Sequence, residues 1–121
     1  MSMNKVIVTG GAGFIGSNLV KRLLDDGAEE ILIIDDFSTG KKENLHNSSK
    51  VHLIESKLEE INDLESQFEG YDFCFHLAAG VGVQYIMDNL SDSLLTNIQG
   101  THIVFEACKE NNIPVLITST S

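Results

Sequence analysis

Near the start of the chain an apolar run, Val6-Ile7-Val8, meets a glycine cluster, Gly10-Gly11-Ala12-Gly13-Phe14-Ile15-Gly16, which leads directly into a segment with helical spacing. Where a strand must turn sharply into a helix, residues without Cβ let the backbone bend and let another group come close. The first amides of that helix have no partner within it, and the aligned peptide dipoles leave partial positive charge there. Such a turn is suited to a phosphate or pyrophosphate.

The glycines satisfy two overlapping patterns. Gly11, Gly13 and Gly16 make G-x-G-x-x-G, and Thr9, Gly10, Gly13 and Gly16 make T-G-x-x-G-x-x-G. Alone either pattern is weak, because glycine turns also arise for purely structural reasons. Here a strand precedes, an amphipathic helix follows, and a second apolar strand ends on an acid, Asp35, nineteen positions beyond Gly16. That combination points to a dinucleotide. Asp35 at a strand tip can accept hydrogen bonds from ribose hydroxyls and repel a 2′-phosphate, which favours NAD over NADP. Its bland reading is a helix cap or a solvated turn acid. Lys41 and Lys42 follow closely and are the residues that would receive a 2′-phosphate.

Short β-rich runs alternate with longer segments of 3.6 periodicity, the pattern of parallel βαβ units. Strands are predicted at Lys5 to Val8, Ile31 to Ile34, Val51 to Ile54, Phe73 to Leu77 and Val115 to Ile117. A helix is predicted from Phe14 to Asp26, with Ile15, Leu19 and Leu23 as its stripe and Gly27 as its stop. Residues 35 to 50 read as a loop holding one helical turn around Lys42 to Leu45. A weak helix puts Ile61, Leu64 and Phe68 on one face. The longest helix, Asp92 to Asn111, carries Leu94, Leu95, Ile98, Phe105 and Cys108 near one stripe and ends before Pro114.

With 121 residues, 42% of them hydrophobic, the chain fits a single globular domain. Its net charge of -10 argues against a nucleic-acid backbone or an anionic membrane surface as partner. A dinucleotide stays compatible, because backbone amides bind pyrophosphate locally. Cys74 and Cys108 have no ligand-like spacing, so both read as reduced packing residues and no metal site is expected. No membrane-length apolar stretch and no signal-peptide pattern is present, and the expected location is the cytoplasm.

Five blocks in order, Thr9-Gly-Gly-Ala-Gly-Phe-Ile-Gly16, Asp35-Asp-Phe-Ser-Thr-Gly40, His76-Leu-Ala-Ala79, Thr96-Asn-Ile-Gln-Gly-Thr101 and Thr118-Ser-Thr-Ser121, carry a resemblance over essentially the whole sequence. The chain resembles the N-terminal part of an extended short-chain dehydrogenase/reductase of the nucleotide-sugar epimerase, dehydratase and decarboxylase group. The resemblance implies a Rossmann-type α/β fold, a doubly wound parallel sheet of about five strands. It implies that Gly10, Gly13, Phe14, Ile15 and Gly16 wrap the NAD pyrophosphate. Asp35 would hold ribose, and Asp36, Phe37, Ser38, Thr39 and Gly40 would line the adenosine end. Leu77, Ala78 and Ala79 would pass beneath the nicotinamide-side ribose, and Asn97 would pin the central helix beside the active site. Thr120 matches the catalytic hydroxyl of the group, with Ser119 and Ser121 as neighbours in register.

Two departures stand out. Where many relatives carry an Asp facing adenine, this sequence has Lys57, which cannot accept a hydrogen bond. Adenine would then meet the backbone of Lys57 and Leu58, or another residue. The second departure is the lack of a Tyr-x-x-x-Lys pair, since Phe75 and Asn89 stand four places after Tyr71 and Tyr85. The resemblance implies that this pair and a C-terminal lobe for the nucleoside diphosphate sugar lie beyond residue 121, so the expected domain is 1–121, truncated after its fifth strand. Alone it is expected to be inactive and to associate through an exposed sheet edge. The leading activity is that of a UDP-glucose/UDP-galactose-type 4-epimerase, homodimeric when complete. The alternatives are a UDP-glucuronate decarboxylase, a 4,6-dehydratase, an inactive dinucleotide sensor, and a generic α/β binding domain.

Overall fold

The computed structural model describes residues 4–37, 40–77 and 101–117. Their order is β1 (Lys5–Thr9), α1 (Phe14–Asp25), β2 (Glu30–Asp35), β3 (Val51–Glu55), α2 (Leu64–Phe68), β4 (Phe73–His76), α3 (101–110) and β5 (Val115–Ile117). Single 3-10 turns at Lys42–Asn44 and Leu58–Glu60 punctuate the connections. The strands form one sheet in the order β3-β2-β1-β4-β5, with every pairing parallel. This is the expected Rossmann-type arrangement. Among the described residues no helix is long and apolar enough to cross a membrane.

Alternation along the strands builds two cores, because successive side chains leave opposite faces. Val6, Val8, Ile31 and Ile33 point to one side and pack with Val20 and Leu23 of α1. Ile7, Leu32, Ile34 and Cys74 point to the other and pack with Leu64 and Phe68 of α2 and Val104, Ala107 and Cys108 of α3. β1 and β2 are covered on both faces, which is why they read as uninterrupted apolar runs.

Two helix faces differ from the sequence reading. In α1 the buried residues are Gly16, Val20 and Leu23, and Ile15 is 58% exposed. In α3 the buried residues are Val104, Ala107 and Cys108, and Phe105 is 42% exposed. In both helices small residues face the sheet, where they permit close packing, and the bulkier neighbour is turned aside. Element ends also shift slightly: β1 reaches Thr9, β3 reaches Glu55, β4 stops at His76, α1 stops at Asp25, and the weak helix contracts to Leu64–Phe68.

These faces carry a mutational test. Phe68→Ala empties a fully buried site and should cost about 3–5 kcal/mol. Phe105→Ala should cost about 1 kcal/mol or less. Urea denaturation of both variants measures the difference, and equal costs would contradict the assignment of α3's outer face.

Candidate functional site

The site grows from the turn between β1 and α1. Gly10 adopts a left-handed backbone, φ 79°, and its amide donates to the Ile34 carbonyl at 2.7 Å, so the turn is anchored on β2. The Gly10 carbonyl accepts from the Gly13 amide at 3.2 Å. A Cβ on Gly16 would lie 2.2 Å from that same carbonyl oxygen, so the third glycine of the pattern is a steric requirement of the fold. Gly13 is different. Its Cβ would meet nothing closer than 3.5 Å within the chain, so packing alone does not demand a glycine there.

Gly13 is also the N-cap of α1, with no side-chain cap and no acidic residue in the first turn. The amides of Phe14, Ile15 and Gly16 therefore open a helix end that no carboxylate of its own neutralises. Phe14 and Ile15 are exposed, and their side chains leave the helix end uncovered. A pyrophosphate fits this arrangement in charge and in donor type.

Asp35 sits beside the turn at the C-terminal end of β2 and is 8% exposed. Its Oδ2 accepts from the Ala12 amide at 2.9 Å and its Oδ1 from the Phe37 amide at 2.7 Å. Asp35 is thus neither a helix cap nor a solvated turn acid. A carboxylate has about four acceptor directions, so two amides leave capacity for hydroxyl donors. Phe37 follows in a left-handed conformation, φ 61°, with Lys42 Nζ 5.5 Å from its ring centroid. Asp36 is exposed.

The next loop is strapped to the same turn. The Ala12 carbonyl accepts from the Lys41 amide at 3.1 Å and from Asn44 Nδ2 at 2.8 Å, and Gly40 lies against the Ala12 backbone. His46 Nε2 reaches the Ser17 carbonyl at 2.9 Å. Sequence reasoning missed Asn44 and His46, whose only signal was a polar loop. On the far side of Asp35, its carbonyl accepts from the Ser56 amide at 3.2 Å, bringing Lys57 and Leu58 to the same rim. The Lys57 carbonyl already accepts from Ser56 Oγ and the Glu60 amide. The Leu58 side chain belongs to the core, so only backbone is available there.

Across the rim, the Leu77 amide donates to the Thr9 carbonyl at 3.0 Å and places Leu77 beside the end of β1. Beneath it lies a buried polar chain that sequence reasoning did not assemble. Thr9 Oγ1 and His76 Nδ1 are 2.6 Å apart, and His76 Nε2 and Thr101 Oγ1 are 3.1 Å apart. Both ring nitrogens have hydroxyl partners, so a neutral imidazole is satisfied, and burial pushes its pKa down to about 4. Thr9, His76 and Thr101 all stood within the sequence blocks, but nothing in the spacing joined them.

Tyr71 stands at the opposite, N-terminal end of the strands, next to the Asp72 and Lys5 pairing. Burial, together with Glu30, pushes its phenol up to about 12, the wrong direction for a general base. Ser38, Thr39, Ala78, Ala79, Asn97 and Thr120 lie outside the described residues, as do Ser119, Ser121 and the predicted helical positions Leu94, Leu95 and Ile98.

Against known proteins, the profile described as the NAD dependent epimerase/dehydratase family matches residues 6–121. The chain is 36% identical to UDP-glucuronic acid decarboxylase 1 of Arabidopsis thaliana, covering 97% of this chain and 26% of that protein. It is 34% identical to UDP-glucose 4-epimerase of Mycolicibacterium smegmatis, covering 97% of this chain and 38% of that protein. Among solved structures, UDP-N-acetylglucosamine 4-epimerase from Methanobrevibacter ruminantium M1, in complex with UDP-N-acetylmuramic acid, superposes with a TM-score of 0.83 at 40% identity, over 93% of this chain and 36% of that one. The chain thus spans about a quarter to two fifths of these relatives' length.

Two tests follow from the geometry. Gly16→Ala should disrupt the turn and lower thermal stability, whereas Gly13→Ala should fold normally and lose dinucleotide affinity by tenfold or more, as read by melting curves and calorimetry. Wild-type affinity in Gly13→Ala would remove this glycine from the site. For His76, the unfolded ring takes a proton near pH 6.5 and the folded one only near pH 4. The folded state thus loses stability as pH falls from about 6.5 to about 4, by up to about 3 kcal/mol, and is unaffected by this group above that window. Denaturation curves across that range should be correspondingly flatter in His76→Asn.

Proposed function

The chain belongs to the NAD-dependent epimerase/dehydratase family, and on that premise we propose that it is the NAD-binding portion of a nucleotide-sugar 4-epimerase acting on a UDP-glucose/UDP-galactose-type substrate. The observation that carries the cofactor part is the uncapped, acid-free helix end at Gly13, beside a buried Asp35 that retains acceptor capacity. Similarity to two 4-epimerases supports the reaction.

In this reading the amides around Gly10, Gly13, Phe14, Ile15 and Gly16 hold the pyrophosphate, and Asp35 accepts from the adenosine ribose. Asp36, Phe37, Ser38, Thr39 and Gly40 line the adenosine end, with the backbone of Lys57 and Leu58 toward adenine. Leu77, Ala78 and Ala79 pass beneath the nicotinamide-side ribose, and Asn97 fixes the central helix. NAD held there would supply reversible hydride-acceptor chemistry for the sugar C4. Thr120 would hydrogen-bond the C4 hydroxyl or the keto oxygen as hydride moves, and so position the reacting carbon. The general acid/base and the sugar-nucleotide lobe belong to the complete enzyme, which we take to be a cytoplasmic homodimer. The two free, buried thiols fit a reducing compartment.

Similarity to the Arabidopsis decarboxylase favours a second reading, UDP-glucuronate decarboxylation. Supplying the complete enzyme with UDP-glucose and UDP-glucuronate in turn separates the two: UDP-galactose is the expected product, and carbon dioxide release overturns the epimerase assignment. The complete enzyme should bind NAD more tightly than NADP by calorimetry. Thr120→Ala should lower its turnover by roughly tenfold or more, and unchanged turnover removes Thr120 from the chemistry.

A further inference from the structure

Two thiols meet inside the seam between β4 and α3, on the side of the sheet away from α1. Cys74 and Cys108 are 34 positions apart in sequence, and both are free and buried. Strand alternation turns Cys74 and His76 to the same face, and a seven-residue separation puts Thr101 and Cys108 on the same side of α3. On that seam His76 meets Thr101 at the end near Leu77, and further along Cys74 and Cys108 lie on the facing sides of β4 and α3. The backbone also brings the two segments together. Cys108 O accepts from the Ile113 amide at 2.8 Å, and the Cys74 amide donates to the Pro114 carbonyl at 3.0 Å, so the chain leaving α3 is stitched onto β4. Both side chains also pack within one core cluster.

We propose that Cys74 and Cys108 form a redox-closable pair, joined by an intramolecular disulfide when the protein meets a small-molecule disulfide of the glutathione class. Each thiol perturbs the other: Cys74 holds the Cys108 thiol below its ordinary pKa, while Cys108 and burial push the Cys74 thiol well above its own. Cys108 is accordingly the attacking sulfur. Its thiolate attacks one sulfur of the oxidant, forming a mixed disulfide and expelling one thiolate. Cys74 gives its proton to a departing thiolate and attacks the Cys108 sulfur, which expels the second. Two electrons pass from the cysteine pair to the oxidant, which leaves as two thiols.

Access comes through local opening. Cys108 lies in the last turns of α3, and the neighbouring β5 occupies a sheet edge with Leu116 exposed. The consequence reaches the site, because the stretch between the two cysteines contains Leu77, Ala78, Ala79 and Asn97. A cross-link would tie both ends of that stretch and reduce the freedom of the unfolded chain.

The test uses the 121-residue chain, incubated at neutral pH with oxidised glutathione, quenched with an alkylating reagent in denaturant and weighed intact. The expected product is a monomer that has lost two hydrogens and takes up no alkyl group, with a melting temperature raised by roughly 5–10 °C. Dithiothreitol should reverse both changes. Cys74→Ala should stop at one glutathione adduct, and Cys108→Ala should resist oxidation; if either variant fails to fold, the wild-type mass still decides. Two alkylated thiols after prolonged exposure, an adduct that never closes, or a disulfide found only between chains would overturn the proposal.

Discussion

The hydrogen bond from the Ala12 amide to Asp35 Oδ2 holds the rest of the site in place. It crosses from the glycine turn after β1 to the tip of β2, two segments 23 residues apart, and it is buried. A charged acceptor makes such a bond stronger than one between neutral groups, and the Phe37 amide on the other oxygen keeps the carboxylate from being stranded. The other face of the same residue completes the clamp, since the Ala12 carbonyl collects Lys41 and Asn44. Asp35 is therefore both a structural acceptor and the group with capacity left for a ribose. Removing it disturbs the turn as well as any ligand, so Gly13 is the cleaner position at which to separate binding from folding.

The sheet order explains why the candidate groups gather where they do. From β1 the chain crosses to β2 on one side and later to β4 on the other, so the C-terminal ends of β1 and its neighbours diverge at a topological switch point. The crevice is floored by the contact of Leu77 with Thr9 and walled by the glycine turn. His76, directly below, anchors β4 to both β1 and α3 through hydroxyls that satisfy a neutral ring. A hydrophobic residue of similar size would fill the space but leave both hydroxyls without that partner, at a desolvation cost.

Strand order and the glycine turn were legible in the sequence because they rest on local rules: alternation, apolar runs, and residues lacking Cβ beside an acidic strand tip. Helix orientation was less so. Ile15, Leu19 and Leu23 share a stripe by spacing, but an adjacent stripe through Gly16, Val20 and Leu23 is equally regular, and hydrophobicity gives glycine no weight. Packing does give it weight, because Gly16 brings α1 against the Gly10 carbonyl. Ala107 and Phe105 repeat the lesson on α3. The long-range pairs were not legible at all. Thr9 and His76 are 67 residues apart, and Asn44 is 32 from Ala12; each meeting depends on the completed topology.

On the proposed reading, selection of NAD over NADP would draw on two effects of unequal size. Lys42 lies in the loop after β2, but its ammonium is 3.0 Å from Glu55 Oε1 and lies over the Phe37 ring. Lys41 is 4.0 Å from Glu43. Both ion pairs are exposed, and such pairs contribute little, about 0–1 kcal/mol; a 2′-phosphate competing for either lysine would displace a weak partner. The buried Asp35 carboxylate would be the stronger discriminator, because it is fixed by two amides and cannot swing away from an incoming dianion. The proposed preference for a free ribose would thus follow mainly from a carboxylate that two backbone amides hold in place.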